Sequence, residues 1–215
     1  MPALVSSMRG TRVVAGLWAA LLLPSTLPVH AQNSQPAPTL TPGAGAPTVT
    51  PGAGPGKALP ITVQRPANAT VALATRRGDF RVWYDPSIWR LAPETDDARI
   101  ELRLKTGQAV VVIIPEGTPL PLVALRTAAI ENAKRTGPDA RIVVEQTRRI
   151  TNRDALLLQI DATLSADSHA VTYFGHYYGD PRGSIQVVAA VAQRDFARLR
   201  QVLQDAIDGL DLNRP

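Results

Sequence analysis

The sequence predicts an α+β fold, an antiparallel β-sheet of about six to seven strands sandwiched by helices. Three observations predict it. Residues 110–114, Val-Val-Val-Ile-Ile, are apolar at every position, so a strand there needs cover on both faces. Residues 99–105 and 155–164 alternate apolar and polar side chains, the two-residue period of a strand. Residues 122–135 and 194–210 instead place their apolar side chains three and four apart, the period of a helix.

Taken in order, residues 1–31 have a basic start (Arg9, Arg12), an apolar run over 13–23 and Val29-His30-Ala31 before Gln32. That is the pattern of a secretory signal peptide cut after Ala31. The run is shorter than the ~20 residues that span a bilayer, so no stable membrane span is expected in the mature chain. Residues 32–60 are dominated by Pro, Gly, Ala and Thr, and Thr-Pro-Gly-Ala-Gly occurs twice, from Thr41 and from Thr50. Such a composition cannot offset the entropy of ordering, so a disordered linker is expected, with a reach of about 30 Å as a coil and about 90 Å fully extended. Residues 61–215 are left for one globular domain.

Charge and composition exclude several functions. The formal charge of the 215 residues is +5, but three of the 23 basic side chains (Arg9, Arg12, Lys57) precede the domain, leaving 20 against 18 acidic ones. With no basic run longer than a pair, nucleic acid is not an expected partner. The chain has no cysteine, which excludes thiol catalysis and thiolate metal sites.

Within the domain, residues 80–84 read as a strand. Residues 99–105 turn Ile100, Leu102 and Leu104 to one face, and 110–114 form the central strand. The helix over 122–135 carries Leu122, Leu125, Ala129 and Ala133 on one stripe and stops at Gly137-Pro138. Strands follow at 141–150, 155–164, 169–178 and 184–193. The links at 151–154, 165–168 and 179–183 are too short for crossover helices, so these strands are expected to form an antiparallel meander. In 155–164, Leu156, Leu158, Ile160, Ala162 and Leu164 face inward, with Gln159, Asp161 and Thr163 outward. The last helix buries Phe196, Leu199, Leu203, Ile207 and Leu210 and exposes Arg198, Gln201, Gln204, Asp205 and Asp208.

This order, with the aromatic opening Gly78-Asp79-Phe80-Arg81-Val82-Trp83-Tyr84-Asp85-Pro86-Ser87-Ile88-Trp89, resembles the PsbP-like family. The helix over 120–136, the Asn152-Arg153-Asp154-Ala155 turn, the two long strands after it and the terminal amphipathic helix extend the resemblance over about 70–212. It implies an α/β/α sandwich shared with DcrB-type periplasmic proteins and a Ran-binding import factor, and a binding or assembly role. Relatives carry Asn-Gly at the turn where this chain has Asn152-Arg153. Arginine does not readily take positive φ, which weighs against a tight type I′ turn at this point.

Chemical constellations are sparse. His169 and His176 are seven apart, an odd separation that puts them on opposite faces of a regular strand and argues against a shared metal. Ser168, His169 and Asp161 supply the residue types of a hydrolase triad, but adjacent side chains on a strand diverge and no G-x-S-x-G elbow is present. Glu94, Asp96 and Asp97 read as a solvated loop. The aromatic cluster Tyr173, Phe174, His176, Tyr177 and Tyr178 divides into Tyr173 and Tyr177 on one face and the other three on the opposite face. Packing accounts for most of it, while Trp83, Trp89, His176 and Tyr178 are the residues selected as a candidate contact surface.

The expected protein is therefore an exported, periplasmic or extracellular, non-enzymatic binding or assembly-accessory protein. It is expected to be monomeric and free of cofactors, with a protein or cell-envelope component as partner. The alternative is a carrier of a small apolar ligand or lipid, which predicts an enclosed apolar cavity of a few hundred Å3 between sheet and helix. An uncharacterised hydrolase is a third reading and predicts Ser, His and acid side chains converging in space.

Overall fold

A computed structural model describes residues 60–75, 80–93 and 99–212. The signal-peptide expectation, the linker up to residue 59 and the acidic stretch Glu94, Asp96 and Asp97 lie outside the described residues.

The elements are β1 (Ile61–Val63), β2 (Val71–Ala74), β3 (Arg81–Tyr84), β4 (Trp89–Leu91), β5 (Ile100–Leu104), β6 (Ala109–Glu116), α1 (Leu122–Thr136), β7 (Arg141–Ile150), β8 (Arg153–Thr163), β9 (Ala170–Asp180), β10 (Gly183–Ala192), α2 (Gln193–Ile207) and β11 (Leu210–Asp211). Eight strands form one sheet in the order β1-β7-β8-β9-β10-β6-β5-β4, and β11-β3-β2 form a second, three-stranded sheet. The expected meander is present as β7 to β10. The sheet is larger than the six to seven strands expected because β1 and β4, three residues each, are too short to show a period. It is mixed rather than wholly antiparallel, since β1 lies parallel to β7 at one edge.

The centre of the sheet shows why both faces are covered. Val110, Val111, Val112 and Ile113 are all buried, and β10 is buried along its length except at Ala192. Neighbouring residues on a strand point to opposite faces. Val110, Val112, Val188 and Ala190 join Tyr173, Tyr177, Leu158 and Ile160 in a cluster with Leu125, Ala129 and Ala133 of α1. Val111, Ile113, Val187 and Ala189 join Phe174, Leu157 and Tyr178 in a second cluster with Phe196, Leu199, Leu203 and Ile207 of α2. The two helices therefore cover opposite faces. The aromatic cluster on β9 divides between the two cores as its alternation predicts. The small sheet lies on the α2 side, where Val82 and Leu210 belong to the same cluster.

Three local expectations are corrected. First, β7 and β8 are joined by a two-residue turn. Ile150 pairs with Arg153, and Thr151 and Asn152 take φ of 49° and 63°. The tight turn exists one residue earlier than the Asn152-Arg153 alignment suggests, so Arg153 keeps a strand conformation and Asn152 takes a left-handed one, which it tolerates well. Second, β8 is covered on both faces at its start, because Ala155 and Leu157 pack into the α2 core. Third, α2 ends at Ile207, and Asp208, expected on the exposed face, caps the helix and turns toward the sheet. The chain then re-enters an extended conformation, and β11 pairs with β3.

Two glycines permit close approach. A Cβ at Gly137, where α1 stops, would lie 2.4 Å from the Thr163 carbonyl oxygen; one at Gly209 would lie 1.9 Å from that of Trp83. The first lets α1 close down on β8, and the second lets the end of α2 reach β3. No helix among the described residues is long and apolar enough to cross a membrane.

A sheet covered on both sides predicts comparable dependence on each helix. Leu125 of α1 and Leu203 of α2 are fully buried, and either changed to Ala is expected to cost about 2–5 kcal/mol in chemical denaturation. A loss below about 1 kcal/mol for either would mean that its helix is not docked.

Candidate binding surface at Trp83

The four residues selected from the sequence do not come together on one surface. Trp89 is 2% exposed in the α2-side core. His176 is fully buried on β9, with Nε2 2.8 Å from Asp208 Oδ1. That carboxylate also accepts a hydrogen bond from Gln204 Nε2 at 2.7 Å, so the pair fastens the end of α2 to the sheet. His176 Nδ1 is buried with no hydrogen-bond partner among the described residues, so Asp208 is the ring's one polar tie there.

Tyr178 is also buried, edge-on to Phe80 with ring centroids 6.1 Å apart. Its hydroxyl accepts from Arg153 Nη1 at 2.8 Å and donates to Asp180 Oδ2 at 3.1 Å. Asp180 further accepts from Arg153 Nη1 at 2.9 Å and from the Arg182 guanidinium and backbone N–H. Partial burial pushes the Asp180 carboxyl up, but the Arg182 hydrogen bonds outweigh it and hold the group below the usual carboxylate range. This cluster ties the β7–β8 and β9–β10 hairpins together and leaves its members little freedom to bind anything else.

Trp83 alone of the four is partly exposed. In β3, Val82 points into the core, which puts Arg81 and Trp83 on the outer face of the small sheet. Arg65, exposed in the segment after β1, lays its guanidinium 4.2 Å from the centroid of the Trp83 ring, and Arg81 lies 5.8 Å from it. Each cation–π contact is worth about 0.5–1 kcal/mol at an exposed site. Trp83 Nε1 donates to Asp211 Oδ2 at 3.4 Å. Among the described residues neither Arg65 nor Arg81 makes an ion pair with a carboxylate. Sequence reasoning missed both arginines. The Arg81, Trp83 spacing on one strand face offered a signal for the first; nothing in the sequence signals that Arg65, from a loop, reaches the same ring.

The other readings fare differently. The cavity between α1 and the sheet, lined by Asn132, Tyr173, Tyr177 and Gln186 among aliphatic side chains, has a volume of about 20 Å3. That is room for about one water, far below the few hundred Å3 that a carrier needs. Burial pushes the Tyr177 phenol up, as does the neighbouring Tyr173. At the edge of this layer Gln186 Nε2 donates to Glu116 Oε1 at 3.0 Å, and burial raises the Glu116 carboxyl despite that bond. A depression of about 310 Å3 beside His169, Gln193 and Arg194 is open to solvent. The residue types of a triad are dispersed. Ser168 sits in a turn with φ of 57°, His169 Nδ1 lies 2.9 Å from Asp167 rather than Asp161, and Asp161 is engaged by Thr172 and Gln193, each at 2.8 Å. Among the described residues no group of three His, Cys, Asp or Glu side chains is placed to hold a metal ion.

Two predictions follow from the buried polar groups. Asp208→Ala strands the His176 ring and is expected to cost about 1–3 kcal/mol, whereas adding His176→Phe to it recovers part of the loss; strict additivity in the double-mutant cycle would show the pair uncoupled. For Glu116, a carboxyl raised in the folded state loses stability as pH rises from its unfolded value through its folded one. Glu116→Gln should therefore be more stable than the parent at pH 7, with the difference vanishing below about pH 4. A difference independent of pH between 3 and 7 would show that the carboxyl is not desolvated.

No protein-family model matches the sequence, and no curated protein matches it. Among solved structures, the chain is similar to the cyanobacterial PsbP of Synechocystis sp. PCC 6803, with a TM-score of 0.49, 10% identity, and coverage of 69% of this chain and 95% of that one. It is also similar to the Saccharomyces cerevisiae Ran-binding protein Mog1p (TM-score 0.48, 8% identity, 66% and 94% covered). A third similarity is to PA94 of Pseudomonas aeruginosa, described as a putative regulator of unknown function (0.44, 13%, 67% and 97%). At these identities they are likenesses of fold alone.

Proposed function

We propose that this chain is an exported, non-enzymatic binding or assembly-accessory protein whose folded domain docks a protein partner through the surface around Trp83. The observation that carries the reading is the state of that surface. Trp83 lies partly exposed against two guanidinium groups that have no ion-pair partner among the described residues, while Trp89, His176 and Tyr178 are committed to the core. An exposed tryptophan flanked by arginines combines the residue types that dominate binding hot spots. Export rests on the pattern of residues 1–31, and the Pro, Gly, Ala and Thr composition of residues 32–60 suits a flexible arm ahead of the domain.

Placing a photo-crosslinking amino acid at position 83 of the full chain, expressed in its own host, tests the docking face. A discrete adduct is expected from position 83, reduced at least about tenfold by Arg65→Ala with Arg81→Ala and absent from the same label at Arg200 on α2. Equal adducts from both positions would contradict docking at this face. Mass spectrometry of the exported product tests the leader: a mature chain beginning at Gln32 is expected, and a retained residue 1 would contradict cleavage.

A further inference from the structure

The backbone of the small sheet indicates how a partner engages this face. The Trp83 N–H donates to the Gly209 carbonyl at 2.8 Å, on the β11 side, and the Thr75 N–H donates to the Phe80 carbonyl at 3.0 Å. In an antiparallel ladder both polar groups of a residue point the same way and successive residues alternate. Phe80, Val82 and Tyr84 therefore face β2, and Val71, Leu73 and Thr75 face β3. This directs the N–H and C=O groups of Ala72 and Ala74 away from the sheet, along an edge that no described strand pairs.

That edge is four residues long and, among the described residues, carries no other protection. Exposed strand edges are normally blunted by charge, proline or shortness. Edge strand β4 carries the exposed Arg90, and β1 is three residues long and preceded by Pro60, whereas β2 reads Val-Ala-Leu-Ala with neither charge nor proline. The side chains of Ala72 and Ala74 are exposed on the outer face, opposite Trp83 and Arg81 across the pair. Two methyl groups leave the tryptophan ring and both guanidiniums within reach of a strand laid against β2.

We infer that β2 takes up an extended segment of a partner protein as an added strand, with acidic side chains of that segment lying over Ala72 and Ala74 toward Arg65, Arg81 and Trp83. The inference rests on the docking reading above and names its mode and chemistry. Main-chain hydrogen bonds to Ala72 and Ala74 supply affinity, and the outer face, where Arg65 and Arg81 outnumber the carboxylate of Asp211, selects glutamate or aspartate at alternate positions. The intervening side chains of the segment meet Val71 and Leu73, which are half-buried, so those positions are apolar.

The test uses the full ¹⁵N-labelled chain and a capped ten-residue peptide of alternating glutamate and valine. Binding is expected to slow hydrogen exchange at the Ala72 and Ala74 amides at least about tenfold and to shift the Trp83 indole resonance. Arg65→Ala with Arg81→Ala should weaken it by about tenfold or more and flatten its salt dependence. Ala72→Pro, which removes an N–H that has no partner among the described residues, should abolish both the slowed exchange at Ala74 and the peptide-induced shift of the indole. A shifted indole without protection at Ala72 and Ala74, equal binding of the lysine-for-glutamate peptide, or no binding at millimolar peptide each overturns strand addition while leaving docking at Trp83 to the crosslink. Concentration-dependent protection of these amides in the chain alone would assign the edge to a second copy and overturn the inference. Peptide binding that maps away from both β2 and Trp83, together with a negative crosslink at position 83, overturns both readings.

Discussion

Strands β6 and β10 lie side by side near the middle of an eight-stranded sheet, and from Val187–Ile113 to Val191–Ala109 their paired residues are apolar toward both faces. Leaving either face wet would expose several valine and alanine side chains at roughly 25 cal/mol for each Å2 of apolar surface. Helices α1 and α2 are the cover that this constraint demands, and much of the remaining architecture accommodates them. Gly137 lets α1 close onto β8, the His176–Asp208 pair fastens the end of α2, and β11 carries the chain past that end into the small sheet.

The same constraint explains where chemistry is absent and where it is available. A sheet packed on both sides uses its polar side chains to satisfy one another. Tyr178, Arg153, Asp180 and Arg182 close a network across two hairpins, and Asp161 is shared between Thr172 and Gln193. The cavity beside Tyr177 has room for about one water. The three-stranded sheet differs because only its inner face joins the core. Its outer face carries Trp83 and Arg81, and its edge is short and unpaired among the described residues. Binding capacity belongs on such peripheral elements, since adding a ligand there leaves the packing beneath undisturbed.

How much of this was legible depends on the length of each signal. The strands at 99–105 and 155–164 and both helices were readable because seven or more residues repeat a period, and Val110 to Ile113 announced a central strand by having no polar residue at all. Strands β1, β4 and β11 span three residues or fewer, too short for alternation to be distinguished from chance. The two-residue turn lies at Thr151-Asn152 rather than at Asn152-Arg153 because the pairing of Ile150 with Arg153 sets it, and that pairing is a tertiary fact the local residues do not carry. At the candidate site, amphipathic pattern gave Trp89, His176 and Tyr178 the same standing as Trp83. What separates them is burial, and burial depends on which face of a strand receives a helix. The contribution of Arg65 lay beyond sequence reading altogether, since it arises from a loop meeting a strand 18 positions later.

The central claim is that a doubly covered core leaves the unpaired edge and outer face of the small sheet open for binding, among the described residues. Residue-by-residue native-state hydrogen exchange on the isolated chain tests it most directly. The account predicts that amides of β6, β9 and β10 exchange only through global unfolding, while those of Ala72 and Ala74 exchange at nearly the unprotected rate. Local opening of the central strands well below the global unfolding free energy, or strong protection of Ala72 and Ala74 in dilute isolated chain, would contradict it.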